Sequence, residues 1–362
     1  MVLKRSDQKW QEHVADRLGV EAAFQETLGQ IDREVLRQAD EMDPWIRPYF
    51  HSLLASRGKR LRPLLAVLSA DASGGVRADH IHLAVVVEMI HVATLVHDDI
   101  LDGALIRRGE PTATSRWGNE VSVLLGDTLF AHALRICAKL PDGSVERVAT
   151  AVCTVCAGEI LQTQRRFDWN LREEDYFEII GRKTGELFRM PCEVSAWLNG
   201  VSDDTSRALG RYGMALGIAY QIYDDCLDLL GNEEATGKTL GTDWGGGKPT
   251  LPILCLLDSK NGILRKDLID AFERGSFASR DDLLPLLVDH GALPKTQSRV
   301  SGILRSARNE LEVLSQGDSR RALEEVADLL GNQVDRLVEG MLTGCRCPEA
   351  VQNKVSKGEE AE

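Results

Sequence analysis

Residues 81–102 read IHLAVVVEMIHVATLVHDDILD. Apolar residues fall on nearly every side of a 3.6-residue repeat. The stretch therefore predicts a helix apolar around most of its circumference, which belongs at the centre of a bundle. Its end is Asp98-Asp99-Ile100-Leu101-Asp102, followed at once by Gly103. The same pattern returns as Asp224-Asp225-Cys226-Leu227-Asp228, with Gly231 close behind. The first and last Asp of each cluster lie one helical turn apart on the same face, where like charges repel. The glycines put both clusters in the last turns of their helices, where the helix dipole also disfavours carboxylates. Six acids placed this way on otherwise apolar helices require a strong cation. An all-oxygen, acidic ligand set selects a hard ion such as magnesium, which bridges carboxylates to phosphate oxygens.

Outward from these clusters the chain keeps the same character. Residues 64–110 and 192–248 contain no proline, so long helices are permitted. Ile81–Asp102, Val145–Gln164, Glu174–Leu198 and Ser206–Leu230 read as long helices, and strand-length alternation is hard to find. Turn signals separate them at Ser73-Gly74-Gly75, Pro141-Asp142-Gly143, Asn199-Gly200 and Gly245-Gly246-Gly247. The expected architecture is all-α, one large helical domain over residues 1–344. A polar tail, residues 345–362, is expected to be disordered.

Composition excludes several classes. The 362 residues carry 56 Asp and Glu against 43 Lys and Arg, a net charge of −13, which argues against nucleic-acid binding. The longest apolar segment, Ala84 to Val96, already contains Glu88 and His91, so no membrane span is expected. The polar N-terminus lacks a signal-peptide core, and the chain reads as cytoplasmic. Cysteines such as Cys137, Cys192, Cys226 and Cys255 lie in apolar or mixed segments and read as core thiols. Cys153-x-x-Cys156 has no matching second pair and receives the same structural reading.

Cations complement the acids. Arg57-Gly58-Lys59-Arg60-Leu61-Arg62-Pro63 sits near a helix start, and Arg107-Arg108-Gly109 follows the first cluster. Lys183-Thr184, Lys238 and Lys248 lie further along, the last two in glycine-containing loops. Carboxylates for metal on one side, Arg and Lys on another, suit a substrate carrying diphosphate.

Taken in order from about Gly58 to Pro252, these motifs resemble the trans-isoprenyl diphosphate synthases, the polyprenyl synthetase family. They comprise Gly-Lys-Arg-x-Arg-Pro, Glu88-Met-Ile-His91, the first Asp cluster, Arg-Arg-Gly, Gly126-Asp127, Lys183-Thr184, Gln221 through Asp228, and the lysine loops. The resemblance implies a helical bundle around a deep central cavity, in a homodimer. It implies three magnesium ions held by Asp98, Asp102, Asp224 and Asp228 on the diphosphate of an allylic substrate. Arg107, Lys183 and Lys238 would bind that diphosphate, and Lys248 joins the substrate-binding set. Lys59, Arg62, His91 and Arg108 would bind isopentenyl diphosphate. Thr184 and Gln221 would face the reacting carbons, their dipoles steadying positive charge, and with Lys183 on the diphosphate they make up the catalytic set. Asp99 and Asp225 would orient the site. The implied reaction ionises the allylic C–O bond, lets the isopentenyl double bond attack the cation, and returns a proton to the departing diphosphate.

Product length is expected from the residues below Asp98. In this family a bulky aromatic four or five residues before the cluster limits the product. Here those positions are Thr94 and Ala93. One helical turn, about 5.4 Å, admits roughly one more isoprene unit, so a long product, hexaprenyl to octaprenyl, is expected. Phe130 and Leu134 are candidates for the cavity floor, with ordinary core packing as the alternative. Other readings are a shorter-chain farnesyl or geranylgeranyl synthase, a class I terpene cyclase, or a non-catalytic subunit of a heteromeric synthase. Aromatic content of 5% argues against an aromatic-lined cyclase cavity, and two intact Asp clusters argue against the subunit. Glu88-x-x-His91 also fits half of a di-iron bundle site, but the second copy is missing.

Overall fold

The computed structural model describes residues 22–55, 60–107, 109–233, 240–258, 262–277 and 279–344. Its helices are α1 (Ala22–Asp40), α2 (Arg47–Leu54), α3 (Leu61–Ala72), α4 (Ala78–Leu101), α5 (Ala113–Cys137), α6 (Ser144–Gln164) and α7 (Glu173–Ile180). A π-helical turn, Gly181–Gly185, joins α7 directly to α8 (Glu186–Leu198). Then come α9 (Asp203–Leu230), α10 (Leu251–Leu257), α11 (Gly262–Glu273), α12 (Leu284–Asp289), α13 (Ala292–Glu310) and α14 (Asp318–Gly344). A two-residue hairpin, Ile106–Arg107 against Glu110–Pro111, is the sole sheet among the described residues.

Two apolar clusters make the core. One surrounds α9 with Tyr212, Leu216, Ile222 and Leu229; the other surrounds α4 with Val85, Val87, Met89 and Ile90. Helices α3 and α8 form the wall between them. Leu64, Leu65 and Leu68 of α3 face the α9 side, while Ala66 and Val67 face α4. In α8, Phe188, Cys192 and Ala196 face one way and Leu187, Met190 and Val194 the other. A helix that buries two faces must be apolar on both, and α8 confines its charges to one narrow stripe, where Arg189 pairs with Glu186 and Glu193.

α4 is the central helix its sequence predicts. By length and hydropathy alone its 24 residues could cross a membrane, but 72% of that apolar window is buried by the rest of the fold, as in a central core helix. It ends at Leu101 with Asp102 as its cap, and α9 ends two residues after Asp228. Both Asp clusters therefore occupy the carbonyl ends of long helices, and neither helix has a basic residue in its last turn.

Two expectations need correcting. Cys153 and Cys156 are exposed on α6, not part of the core, whereas Cys137, Cys192, Cys226 and Cys255 are buried; all six are unpaired. The helix expected over 174–198 is interrupted by the π-helical turn that carries Lys183 and Thr184. The tail, residues 345–362, lies outside the described residues.

Candidate functional site

The ends of α4 and α9 meet through a chain of contacts. Lys248 Nζ lies 3.2 Å from Asp102 Oδ1 and 3.1 Å from Asp243 Oδ1. Asp243 in turn donates its backbone N–H to Asp228 Oδ2 at 3.0 Å. One lysine thus bridges the first Asp cluster and the loop built on the second. Burial alone would lower the Lys248 pKa, but the Asp243 and Asp102 charges outweigh it and raise the pKa, so the ammonium stays charged.

The six cluster acids divide by exposure. Asp98 and Asp224 are half-buried and Asp102 is exposed, whereas Asp99, Asp225 and Asp228 are buried. Burial raises the Asp98 pKa; Glu159 and Asp102 add to the shift and the Lys183 and Arg107 charges oppose it. Asp99 accepts a bond from Arg107 Nε at 2.7 Å, so both residues hold the turn after α4. Asp225 accepts from Tyr176 Oη at 2.6 Å and from Gln221 Nε2 at 2.8 Å. Burial, then the charge of Asp243, pushes the Asp225 pKa up to about 7. Asp228, expected to hold metal with Asp224, is engaged by the loop that follows α9. Its Oδ1 accepts from the Thr242 N–H and hydroxyl at 3.3 and 3.1 Å, and its Oδ2 from Asp243. Both oxygens serve the start of the helical turn Thr242–Gly245, where a carboxylate is a favoured cap. The two clusters are therefore not equivalent: the first offers two accessible carboxylates and the second offers Asp224.

A small cleft lies at the α9 end, lined among others by Gln162, Tyr176, Lys183, Gln221, Asp225 and Lys248. Lys183 pairs with Glu159 and donates to Gln162 Oε1 at 2.8 Å. Those partners reach it because α6 passes very close at Gly158, where a Cβ would sit 2.5 Å from the Lys183 backbone nitrogen. The π-helical turn widens the backbone here, as π-turns at functional sites commonly do. Thr184 Oγ1 donates to Gln221 Oε1 at 2.6 Å. A hydrogen-bonded row, Thr184–Gln221–Asp225–Tyr176, follows, and it sets which dipoles face the cleft.

A second group of residues lies on α3 and α4. Arg62 Nη1 is 3.1 Å from His91 Nε2, and its guanidinium stacks 4.6 Å over the Phe188 ring. Behind them, buried Arg60 pairs with buried Glu88 and, at 2.8 Å, with Asp32. Arg60 holds a left-handed backbone, φ 50°, at the N-cap of α3. Glu88 is thus a buried ion-pair partner, not a metal ligand. Lys59, Arg108 and Lys238 lie outside the described residues.

The chain-length candidates separate. Ala93 is fully buried, and the Thr94 hydroxyl donates to the His91 carbonyl at 2.8 Å. Phe130 rests on His97 with ring centroids 5.8 Å apart, on the α4–α5 seam. Leu134 is exposed and is not a cavity floor of this chain. The residues that sequence reasoning missed are Glu159, Gln162, Tyr176, Asp243 and the Arg60–Glu88 pair. Arg60 and Glu88 stood in quoted motifs without their pairing being legible, and Asp243 left a trace as an acid in the glycine-rich loop that carries Lys248.

Among the described residues no three candidate ligands are gathered around one point, but Asp98 and Asp102 on one helix end and Asp224 on the other are the hard oxygen donors that a divalent metal carrying a phosphorylated ligand takes. Comparison with known proteins agrees. The polyprenyl synthetase family matches residues 43–286. The octaprenyl diphosphate synthase of Haemophilus influenzae is 33% identical over 311 residues, 85% of this chain and 94% of that protein. A short chain isoprenyl diphosphate synthase of Methanothermobacter thermautotrophicus is 33% identical over 312 residues, 85% of this chain and 93% of that protein. The crystal structure of a polyprenyl synthase from Caulobacter crescentus, complexed with calcium and isoprenyl diphosphate, superposes with a TM-score of 0.80 at 36% identity, covering 88% of this chain and 97% of that one. With its all-α core and its two Asp-bearing helix ends linked through Lys248 and Asp243, this chain belongs to the polyprenyl synthetase family and is a prenyltransferase.

Proposed function

We propose that the protein condenses isopentenyl diphosphate head-to-tail onto an allylic diphosphate, with magnesium as its cofactor, and releases a long-chain polyprenyl diphosphate. The observation that carries this reading is the Asp102–Lys248–Asp243–Asp228 chain, which joins the ends of α4 and α9. Asp98, Asp102 and Asp224, with Asp228, would hold magnesium. Asp228 positions the Asp243 loop, and Asp99 and Asp225 orient Arg107 and Gln221. Bound magnesium would draw charge into the allylic diphosphate, so that it departs with the C–O bonding electrons.

Each remaining step belongs to the chain's own groups. Lys183 and Lys248, with Arg107 and Lys238, grip the allylic diphosphate. Arg62 and His91, with Lys59 and Arg108, grip isopentenyl diphosphate on the α3–α4 side. The Thr184 and Gln221 oxygens face the allylic carbons as positive charge develops. Attack by the isopentenyl double bond forms the new C–C bond, and the proton then lost passes to the departing diphosphate. No side-chain nucleophile takes part.

Incubation with isopentenyl diphosphate, a short allylic diphosphate and magnesium, read by mass spectrometry, should yield products longer by whole isoprene units. A cyclised hydrocarbon made from the allylic substrate alone would instead mark a terpene cyclase. Tyr176 is the one aromatic residue lining the cleft among the described residues, and its hydroxyl is bonded to Asp225, so the cyclase reading has little to support it.

Product length follows from Ala93 and Thr94, since a short-chain and an octaprenyl relative are equally similar to this chain. Ala93→Phe should shorten the dominant product by at least one isoprene unit in the same assay. An unchanged product distribution would remove the cavity argument. A homodimer is supported by α5, whose Val123, Leu124 and Leu134 are exposed large apolar side chains. Light scattering should return twice the chain mass, and a monomer would contradict this.

A further inference from the structure

We infer that Arg166, in the loop between α6 and α7, is a further ligand for the diphosphate at the metal cluster, working as a pair with Lys248; this rests on the synthase reading above. Arg166 Nη2 lies 3.3 Å from Asp102 Oδ1, the same oxygen that Lys248 Nζ approaches at 3.2 Å. Two cations thus converge on a single carboxylate oxygen of the first Asp cluster. One carboxylate oxygen is a poor match for both, whereas a diphosphate offers several oxygens and more charge. The Arg166 Nε–H is buried and has no hydrogen-bond partner among the described residues. The side chain therefore has donor capacity that Asp102 does not use.

The loop is built to hold Arg166 there. Its neighbour Phe167 adopts a left-handed backbone, φ 63°, and donates its N–H to the Gly247 carbonyl at 2.6 Å. The Phe167 ring lies so close to Gly247 that a Cβ there would sit 2.4 Å from it. A non-glycine residue held at positive φ is a local strain that surrounding structure must enforce. Here the enforcement is visible. Trp169 packs on Trp244 and Phe272 with centroids 5.0 and 5.1 Å apart, and Trp244 packs on Phe272 at 5.0 Å. One aromatic cluster thus anchors the Arg166 loop and the Lys248 loop together, fixing the spacing of the two cations. Magnesium held by Asp102 would neutralise that carboxylate and leave Arg166 and Lys248 to pair with diphosphate oxygens.

The test is calorimetric titration of magnesium and inorganic pyrophosphate into the full-length protein. Arg166→Gln should weaken pyrophosphate binding roughly tenfold, the loss of one charge-assisted contact, and Arg166→Lys should recover part of it. Arg172→Gln removes an equal charge from an exposed Asp175 pair and should leave the dissociation constant within twofold of the parent. In steady-state assays Arg166→Gln should raise KM for the allylic substrate several-fold more than KM for isopentenyl diphosphate. Parent protein that binds no magnesium pyrophosphate would overturn the synthase reading and this inference with it. Parent binding with an Arg166→Gln constant within twofold of it would overturn the Arg166 assignment alone. Equal losses in Arg166→Gln and Arg172→Gln would also overturn it, since net charge would then be the cause.

Discussion

Asp98→Asn should lower the rate of condensation about a thousandfold while leaving the helical circular-dichroism spectrum intact. The magnitude is that of removing one charged ligand from a transition state whose departing group gathers negative charge, about 3–4 kcal/mol. The fold should survive because burial already disfavours the Asp98 charge, as its raised pKa records. A neutral amide of the same shape relieves repulsion with Glu159 and Asp102. Rate and stability should therefore move in opposite directions or independently. Near-parent turnover in Asp98→Asn would remove the metal role from the first cluster.

The second large effect is on stability. Glu88→Gln leaves the Arg60 guanidinium buried, with Asp32 as its remaining carboxylate. Breaking a buried pair by removing one partner costs about 3–5 kcal/mol, and the retained Asp32 contact puts this case near the lower end. Urea unfolding should show the loss directly. The same substitution should raise the requirement for isopentenyl diphosphate more than for the allylic substrate. Arg60 sits two residues before Arg62, and Glu88 one helical turn before His91, so their pair sets the register in which Arg62 meets His91 at 3.1 Å. Unchanged stability would mean that the buried Arg60 is adequately held by Asp32 alone. Equal rises for both substrates would mean that the α3–α4 group does not select between them.

Much of this site is legible in the sequence, for identifiable reasons. α4, α6 and α9 announce themselves because a long apolar repeat ended by glycine or polar turn residues has few alternatives to a helix. Their carbonyl ends could be located because the Asp clusters precede Gly103 and Gly231. What stayed hidden depends on tertiary contact. Whether Asp228 faces the cleft or the Thr242–Gly245 turn is decided by a loop that starts more than ten residues later, so the two clusters look alike in sequence and differ in the fold. Glu159 and Gln162 become partners of Lys183 only because α6 passes so close at Gly158. The Ile106–Arg107 hairpin is too short for alternation to reveal. The π-helical turn that presents Lys183 has the same local pattern as the α-helices on either side of it. Arg166 was invisible because nothing in its own segment points to Asp102.

The most direct test of the account is a crystal structure with manganese and inorganic pyrophosphate, the metal located by its anomalous scattering. Manganese should lie on the Asp98 and Asp102 carboxylates at one side of the pyrophosphate and on Asp224 at the other, with Lys183 and Lys248 in contact with its oxygens. Metal on only one helix end, or pyrophosphate bound away from both, would contradict the claim that the ends of α4 and α9 act on one ligand.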